Sequence, residues 1–520
     1  MDVFDYIVVG AGSAGCVLAE RLTASGRARV LVLEAGGHER AALVRVPLGY
    51  GRLFHDPVRN WRFHAEPEPA LDGRALYMPR GRGVGGSGAI NAMVYARGLP
   101  GDFDDWEAAG NPGWGSAEAR AAFARLEAGL AVSDVSADHH PVCRRFAEAI
   151  DEAGLPRGDP SLGEGAGPWR LTTRAGRRHS AADAFLAPAA RRANLDLVTG
   201  ARVTGLVLEG GRVGGVRYRR GGAECLALCR GEVLLAAGAV QTPQILQLSG
   251  IGPGALLQRL GLPVQVDNPA VGGHLQDHLA VDYAFRASEP TLNQVLGRRS
   301  GQAAAALRYA LARRGPLALS VNQAGALLRS APERARPDTQ LYFNPLTYSV
   351  RHAGRRPLLR PDPWPGFCLG FNPCRPTSRG RIDIAAPDAD TPPRIALGAL
   401  ATAGDVAEVV AGARLVARLL ATPALRRLAA APLGFSPAGA TDEAIVADFR
   451  ARAGSVYHPC GTARMAPRDE GGVVDSACRV HGVEGLRVID ASIFPNITSA
   501  NTNAPTMMAA LRAADLIRAG

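Results

Sequence analysis

Residues 10–15, Gly-Ala-Gly-Ser-Ala-Gly, have the spacing of a phosphate cradle. They follow the strand-like run Tyr6-Ile7-Val8-Val9 and open a helical stretch through Val17, Leu18, Ala19 and Leu22. In such a unit Gly10 permits the tight turn, Gly12 lets backbone approach a pyrophosphate, and Gly15 lets helix pack on strand. The helix start then faces the phosphate charge with unpaired N–H groups and a positive dipole end. A second apolar run, Val30-Leu31-Val32-Leu33, ends at Glu34. That is about 20 residues on from the glycines, where an acid accepts hydrogen bonds from a ribose. The unit implies a dinucleotide without choosing between NAD and FAD. A second cluster lies far along the chain, with His458 in Val456-Tyr457-His458-Pro459 and Asn501 just before Thr502-Asn503-Ala504-Pro505. A histidine titrates near neutrality and can take a proton from a hydroxyl, while an asparagine can bond the same oxygen. Residue types alone favour an ordinary structural histidine at His458.

Two more glycine-bearing blocks carry a resemblance. One is Gly81-Arg82-Gly83-Val84-Gly85-Gly86-Ser87-Gly88-Ala89-Ile90-Asn91. The other, Gly238-Ala239-Val240-Gln241-Thr242-Pro243 through Gly252, follows the apolar run Val233–Ala237. With them the chain resembles the glucose–methanol–choline (GMC) oxidoreductases over roughly residues 4–100, 231–280 and 370–520. The resemblance implies FAD and not NAD. It implies cofactor contacts at Gly10, Gly12, Ser13, Ala14, Gly15, Glu34 and Ala35, and at Gly81, Val84, Gly86, Asn91, Ala92 and Val94. Further contacts would come from the Val203 backbone at the adenine and from Asp490, Ala491, Thr502, Asn503 and Pro505. Members that bond the flavin covalently carry histidine at the Asn91 position, so FAD is expected here without a covalent link. His458 would be the catalytic base, with Asn501 as its partner.

The activity implied is oxidation of an alcohol to an aldehyde or ketone, with hydride passing to flavin N5 and electrons on to a quinone, a dye-like acceptor or oxygen. An oxidase releasing peroxide is the nearest alternative. A hydroxynitrile-lyase-like enzyme with a structural flavin and no net redox is a second. Choline-oxidising members hold a glutamate where this chain is read to have Gln323, which argues against a quaternary ammonium. Trp61, Phe63, Tyr342 and Phe343 are pocket candidates whose plainer reading is core. His274 and His278 are read as structural neighbours of the cofactor, His139-His140 as exposed, and His481 as serving a turn. No metal site is expected, because neither Cys225/Cys229 nor Cys368/Cys374 has a matching second pair.

The elements needed to hold these residues define an α/β fold. A Rossmann-like FAD-binding domain would be assembled from residues 1–155, 195–290 and 440–520. A substrate domain from 156–194 and 291–439 would carry a mostly antiparallel sheet backed by helices. Ser378–Ile384 reads as a turn entering a strand, and the apolar spacing of Val406, Val409, Val410, Val416 and Leu419 predicts a helix. Pro505 suits the first turn of a terminal helix whose cap would be Asn503 and whose apolar face holds Met507, Met508, Leu511 and Ala514. That helix's positive end would face the flavin's N1–C2 edge. The net charge is +11, yet no lysine occurs and the 59 basic residues are scattered arginines. With aromatics at 6%, the pattern excludes a nucleic-acid stripe and leaves at most weak peripheral contact with anionic lipid. No apolar run is long enough to span a bilayer and none resembles a signal peptide, so a cytoplasmic address is expected.

Overall fold

The run before the cradle is strand β1 (Val3–Val9), followed by helix α1 (Ser13–Thr23) and the fully buried strand β2 (Val30–Glu34). This is a computed structural model, describing residues 3–38, 41–353 and 356–519. Strands β1 and β2 pair in parallel, as a helical crossover requires. Four more strands extend the sheet: β3 (Leu195–Thr199), β4 (Ala201–Glu209), β5 (Arg212–Arg220) and β6 (Ala223–Leu235). Their order is β3-β2-β1-β6-β5-β4, with Leu486–Val488 added in parallel to β6. The central strand β2 and the carboxyl ends of β1 and β6 read as unbroken apolar runs because both their faces are covered. Ile7, Val8, Val30, Val32, Val233 and Leu235 all lie in one core. Helix α2 (Gly238–Leu248) leaves the carboxyl end of β6.

The second sheet is antiparallel throughout. Strands β7 (Leu279–Ala287), β8 (Ala324–Leu328), β9 (Thr339–Asn344) and β10 (Gly366–Pro373) run in the order β7-β10-β9-β8. Short strands Ala429–Pro432 and Gly165–Pro168 complete its edges. Alternation sorts its two faces. Val281, Tyr283, Leu341, Phe343, Phe367, Leu369 and Phe371 pack into a second core beneath helix α3 (Ala403–Leu420). Asp282, Gln340, Tyr342 and Asn344 take the other parity.

Helix α4 (Asn503–Ala519) buries Met507, Met508, Leu511 and Ala514 in the core shared with α1. Asn503 is its first helical residue, not the residue ahead of it. Its side-chain oxygen accepts the Ser13 hydroxyl at 2.7 Å.

The segment boundaries differ from expectation in four places. Leu279–Ala287 lies inside 195–290 but is a strand of the second sheet. Phe146 and Ile150, inside 1–155, and Ile445 and Phe449, inside 440–520, pack in the second core. Phe185 and Leu186, inside 156–194, pack in the first. Apolar spacing marks a face for burial without saying which sheet will cover it. Among the described residues no helix is long and apolar enough to cross a membrane.

Candidate active site

A cavity of about 930 Å³ opens where the carboxyl ends of β1, β2 and β6 face the polar side of the second sheet. This is the crevice in which parallel α/β sheets hold ligands. Its cradle is made of main chain. Gly10 has φ +103°, and a Cβ on Gly15 would fall 1.9 Å from the Gly10 carbonyl oxygen. No side chain caps the start of α1, so its first amides are left for a ligand. A Cβ on Gly86 would fall 2.8 Å from Gly12 Cα, so the two glycine blocks meet backbone to backbone.

The two acids at this end mainly fasten loops. Glu34 accepts from the amides of Ala11 (2.9 Å), Gly36 (2.8 Å) and Gly83 (3.0 Å). Of roughly four acceptor positions on a carboxylate, that leaves one for a ribose. Asp490 accepts from the amides of Gly238 and Ser492 and from the Thr242 hydroxyl, pinning α2 to the stretch before α4.

Of the residues implied as cofactor contacts, Gly10, Gly12, Ser13, Ala14, Glu34, Ala35, Gly81, Gly86, Asn91, Ala92, Val94, Val203, Asp490, Ala491, Thr502 and Asn503 line the cavity. So do His458 and Asn501. Three do not. Gly15 packs α1 on the turn, Val84 leans on the first core, and Pro505 is buried in the first turn of α4.

The opposite end is made of side chains. His458, only 7% exposed, places Nε2 3.0 Å from Asn501 Nδ2 and Nδ1 3.0 Å from His278 Nδ1. His278 Nε2 lies 2.8 Å from the Cys374 carbonyl oxygen. A carbonyl only accepts, so His278 carries its proton on Nε2 and turns a lone pair on Nδ1 toward His458. His458 must then carry its own proton on Nδ1, which leaves on Nε2, at the cavity wall, a lone pair that accepts from Asn501 Nδ2. Burial, then the neighbouring His278 and Arg80, hold His458 well below the usual histidine range, so it stays neutral. Its backbone N–H donates to Asp277 at 2.8 Å, and burial pushes that carboxyl up to about 6.

Residues 4–280 match the N-terminal domain of the GMC oxidoreductases and residues 376–510 the C-terminal domain. The chain is a GMC oxidoreductase. It is 38% identical to the alcohol dehydrogenase [acceptor] of Pseudomonas putida, over 99% of this chain and 96% of that protein. It is 37% identical to the oxygen-dependent choline dehydrogenase of Photobacterium profundum, over 99% and 93%. Among solved structures it is similar to pyridoxine 4-oxidase from Mesorbium loti, at TM-score 0.88 and 28% identity over 99% of each chain. The cofactor of this GMC oxidoreductase is FAD. The uncapped helix start, the glycine contact and the volume of the cavity fit a dinucleotide on residues of this chain.

Sequence reasoning missed part of the side-chain end of the cavity. His278 was read as structural but fixes the tautomer of His458. Gln340 donates to Asn501 Oδ1 at 3.1 Å, while its own Oε1 is buried without a partner. Arg178, also missed, donates to Asn91 Oδ1 at 2.7 Å and to the carbonyls of Val44, Gly88 and Asn91. Gln323 does not line the cavity. It faces the other way, accepting from the His140 amide and the Cys143 thiol, so it carries no argument about choline. Of the aromatic candidates, Trp61 and Tyr342 line the cavity, whereas Phe63 and Phe343 are core. The guanidinium of Arg82 lies 4.9 Å and that of Arg202 5.1 Å from the Trp61 ring centroid. His139 and His140 are half-buried and not exposed.

Proposed function

We propose that this oxidoreductase oxidises an alcohol to an aldehyde or ketone, with His458 as base, and passes the electrons to a quinone or another acceptor. Bound FAD supplies the acceptor for the carbinol hydride. The observation that carries the reading is the lone pair on His458 Nε2, turned to the cavity by the chain from Cys374 through His278. An alcohol oxygen entering between His458 and Asn501 donates its proton to Nε2 and accepts a hydrogen bond from Asn501 Nδ2. The O–H proton ends on His458, the C–H pair leaves as hydride, and the carbonyl π bond forms from the O–H pair.

A proton on Nε2 then needs an acceptor. If the Asn501 and Gln340 amides both turn over, the Asn501 oxygen meets the new N–H and its nitrogen meets Gln340 Oε1, the atom with no partner in the neutral arrangement. Asn91 supports non-covalent FAD, since it offers only a neutral amide whose oxygen already accepts from Arg178 and the Met93 amide. The named relatives, alcohol and choline dehydrogenases, support an alcohol donor.

The test is an anaerobic visible spectrum before and after a panel of alcohols, reading flavin bands near ~450 nm. Bleaching by an alcohol is expected, and admitting air then separates oxygen from other acceptors. His458→Ala is expected to keep the flavin bands and slow bleaching by about 10²–10⁴-fold. Wild-type bleaching in that variant removes the base assignment. A yellow protein that no alcohol bleaches removes the alcohol reading.

A further inference from the structure

The polar face of the second sheet holds groups that the oxidation itself does not use. Asp282 lines the cavity from β7, and its carboxylate lies over Gly370 of β10, where a Cβ would fall 1.9 Å from Asp282 Oδ1. Gly370 also pairs with Tyr342 of β9, so Asp282 and Tyr342 share one row across three strands. Tyr342 and Asn344 are each 7% exposed and line the same cavity. Tyr342 Oη and Asn344 Oδ1 are both buried without a hydrogen-bond partner. Among the described residues nothing bonds the Asp282 carboxylate, which is exposed and lines the cavity. Arg452 approaches only its backbone carbonyl, at 2.8 Å, and pairs with Asp448. Facing the same space is an aromatic wall in which Tyr50, Phe54 and Tyr457 meet edge to face at 5.4 Å between successive centroids.

Asn344 Oδ1 and the exposed Asp282 carboxylate, when ionised, can only accept, and the Tyr342 phenol can accept. Ring faces and a carboxylate both attract cations. An anionic ligand would be repelled, and a purely apolar one would leave the buried polar atoms unpaired. The Tyr342 row is one two-residue step, about 7 Å, along β9 from Gln340, the neighbour of Asn501. We propose that Asp282, Tyr342 and Asn344 form a subsite for a protonated amine, so that the substrate is an amino alcohol whose N–H-bearing ammonium lies several bonds from the carbinol. The proposal rests on the alcohol-oxidising reading and narrows it. It favours primary and secondary amines over a quaternary ammonium, which has no N–H to give.

The test compares linear amino alcohols of increasing length with their neutral and trimethylammonium counterparts, by kcat/KM in the FAD-loaded enzyme. Binding of unreactive alkylamines without a hydroxyl is measured in parallel by calorimetry. At least about a tenfold preference for one amine over both counterparts is expected, as for a site built to receive hydrogen-bond donors. Asp282→Asn is expected to collapse that preference and to weaken alkylamine binding at least tenfold. Asn344→Leu should narrow the primary-over-quaternary ratio, and it reads the same subsite if Asp282→Asn does not fold. Preference for the neutral alcohol, or a ratio unchanged in both variants, overturns the subsite. Asp282-dependent amine binding in a protein that no alcohol bleaches leaves the subsite standing and sinks the alcohol reading instead.

Discussion

At the nucleotide end of the cavity, shape is set by main chain. Gly10, Gly15 and Gly86 bring backbone within reach of backbone, and Glu34 and Asp490 give most of their oxygens to amides. At the reaction end, shape is set by the side chains of His278, Gln340, His458 and Asn501, from four separate stretches, anchored on the Cys374 carbonyl. The first end tolerates no added atoms, and the second tolerates no lost ones. A backbone site is therefore broken by the smallest addition, whereas a side-chain relay fails in proportion to the link removed.

That contrast ranks the expected effects. Gly15→Val should be the most severe, because its Cβ would need space now held by the Gly10 carbonyl oxygen, 1.9 Å away. Purified protein without flavin absorbance, or no soluble protein, is expected, and a normally yellow protein would mean the cradle is softer than its glycines indicate. His278→Leu leaves the buried Nδ1–H of His458 without an acceptor. At about 1–3 kcal/mol for such a loss, kcat/KM should fall about 10- to 100-fold with flavin retained. Gln340→Leu removes only the brace on Asn501, so a drop of about two- to tenfold is expected from a net hydrogen bond of about 0.5–1.5 kcal/mol. A Gln340 variant worse than the His278 variant would reverse the ranking of the two links.

Acid should act more weakly on the whole molecule. Burial holds His139, His274 and His278 down to about 4, against 6.5 for an exposed histidine. The unfolded chain thus binds protons that the folded chain refuses. The stability these groups contribute is complete above about 6.5 and is lost as pH falls toward 4. Asp277, raised to about 6, has the opposite sign: its contribution is present at low pH and is lost as pH rises through 6. His140, His179 and His458 are shifted the same way, so six histidines stand against the five carboxyls that burial raises, Asp102, Asp277, Asp282, Glu408 and Asp490. Only the histidines begin to titrate in the unfolded chain between pH 7 and 5. Tm should therefore be lower at pH 5 than at pH 7, and a flat profile would mean these imidazoles are not buried neutral.

The nucleotide end was legible because its code is local: glycine spacing, flanking apolar runs and one acid at the right distance. His458 and Asn501 became legible only through resemblance to a family, since neither residue announces its partner. His278 stood in a stretch already singled out, but its role hangs on a carbonyl 96 residues away. Gln340 and Asp282 did leave a signal. In Gln340-Leu341-Tyr342-Phe343-Asn344 polar and apolar residues alternate strictly, the mark of a strand with one face on a core and the other on something polar. Gln323 misled because no periodicity anchors it to a face. The segment boundaries at 155, 290 and 440 missed for a related reason, since burial is written in the sequence and the identity of the covering layer is not.

The hydrogen bond from Ser13 to Asn503 spans 490 residues of chain. At about 5–20 residues per second, the ribosome makes the second partner roughly 25 to 100 s after the first. Until then α1 lacks its neighbour, and the cradle is open on the side that α4 closes. Flavin capture is thus postponed to the end of synthesis, and a chain cut short before α4 should stay colourless. Yellow colour in this protein reports a finished chain.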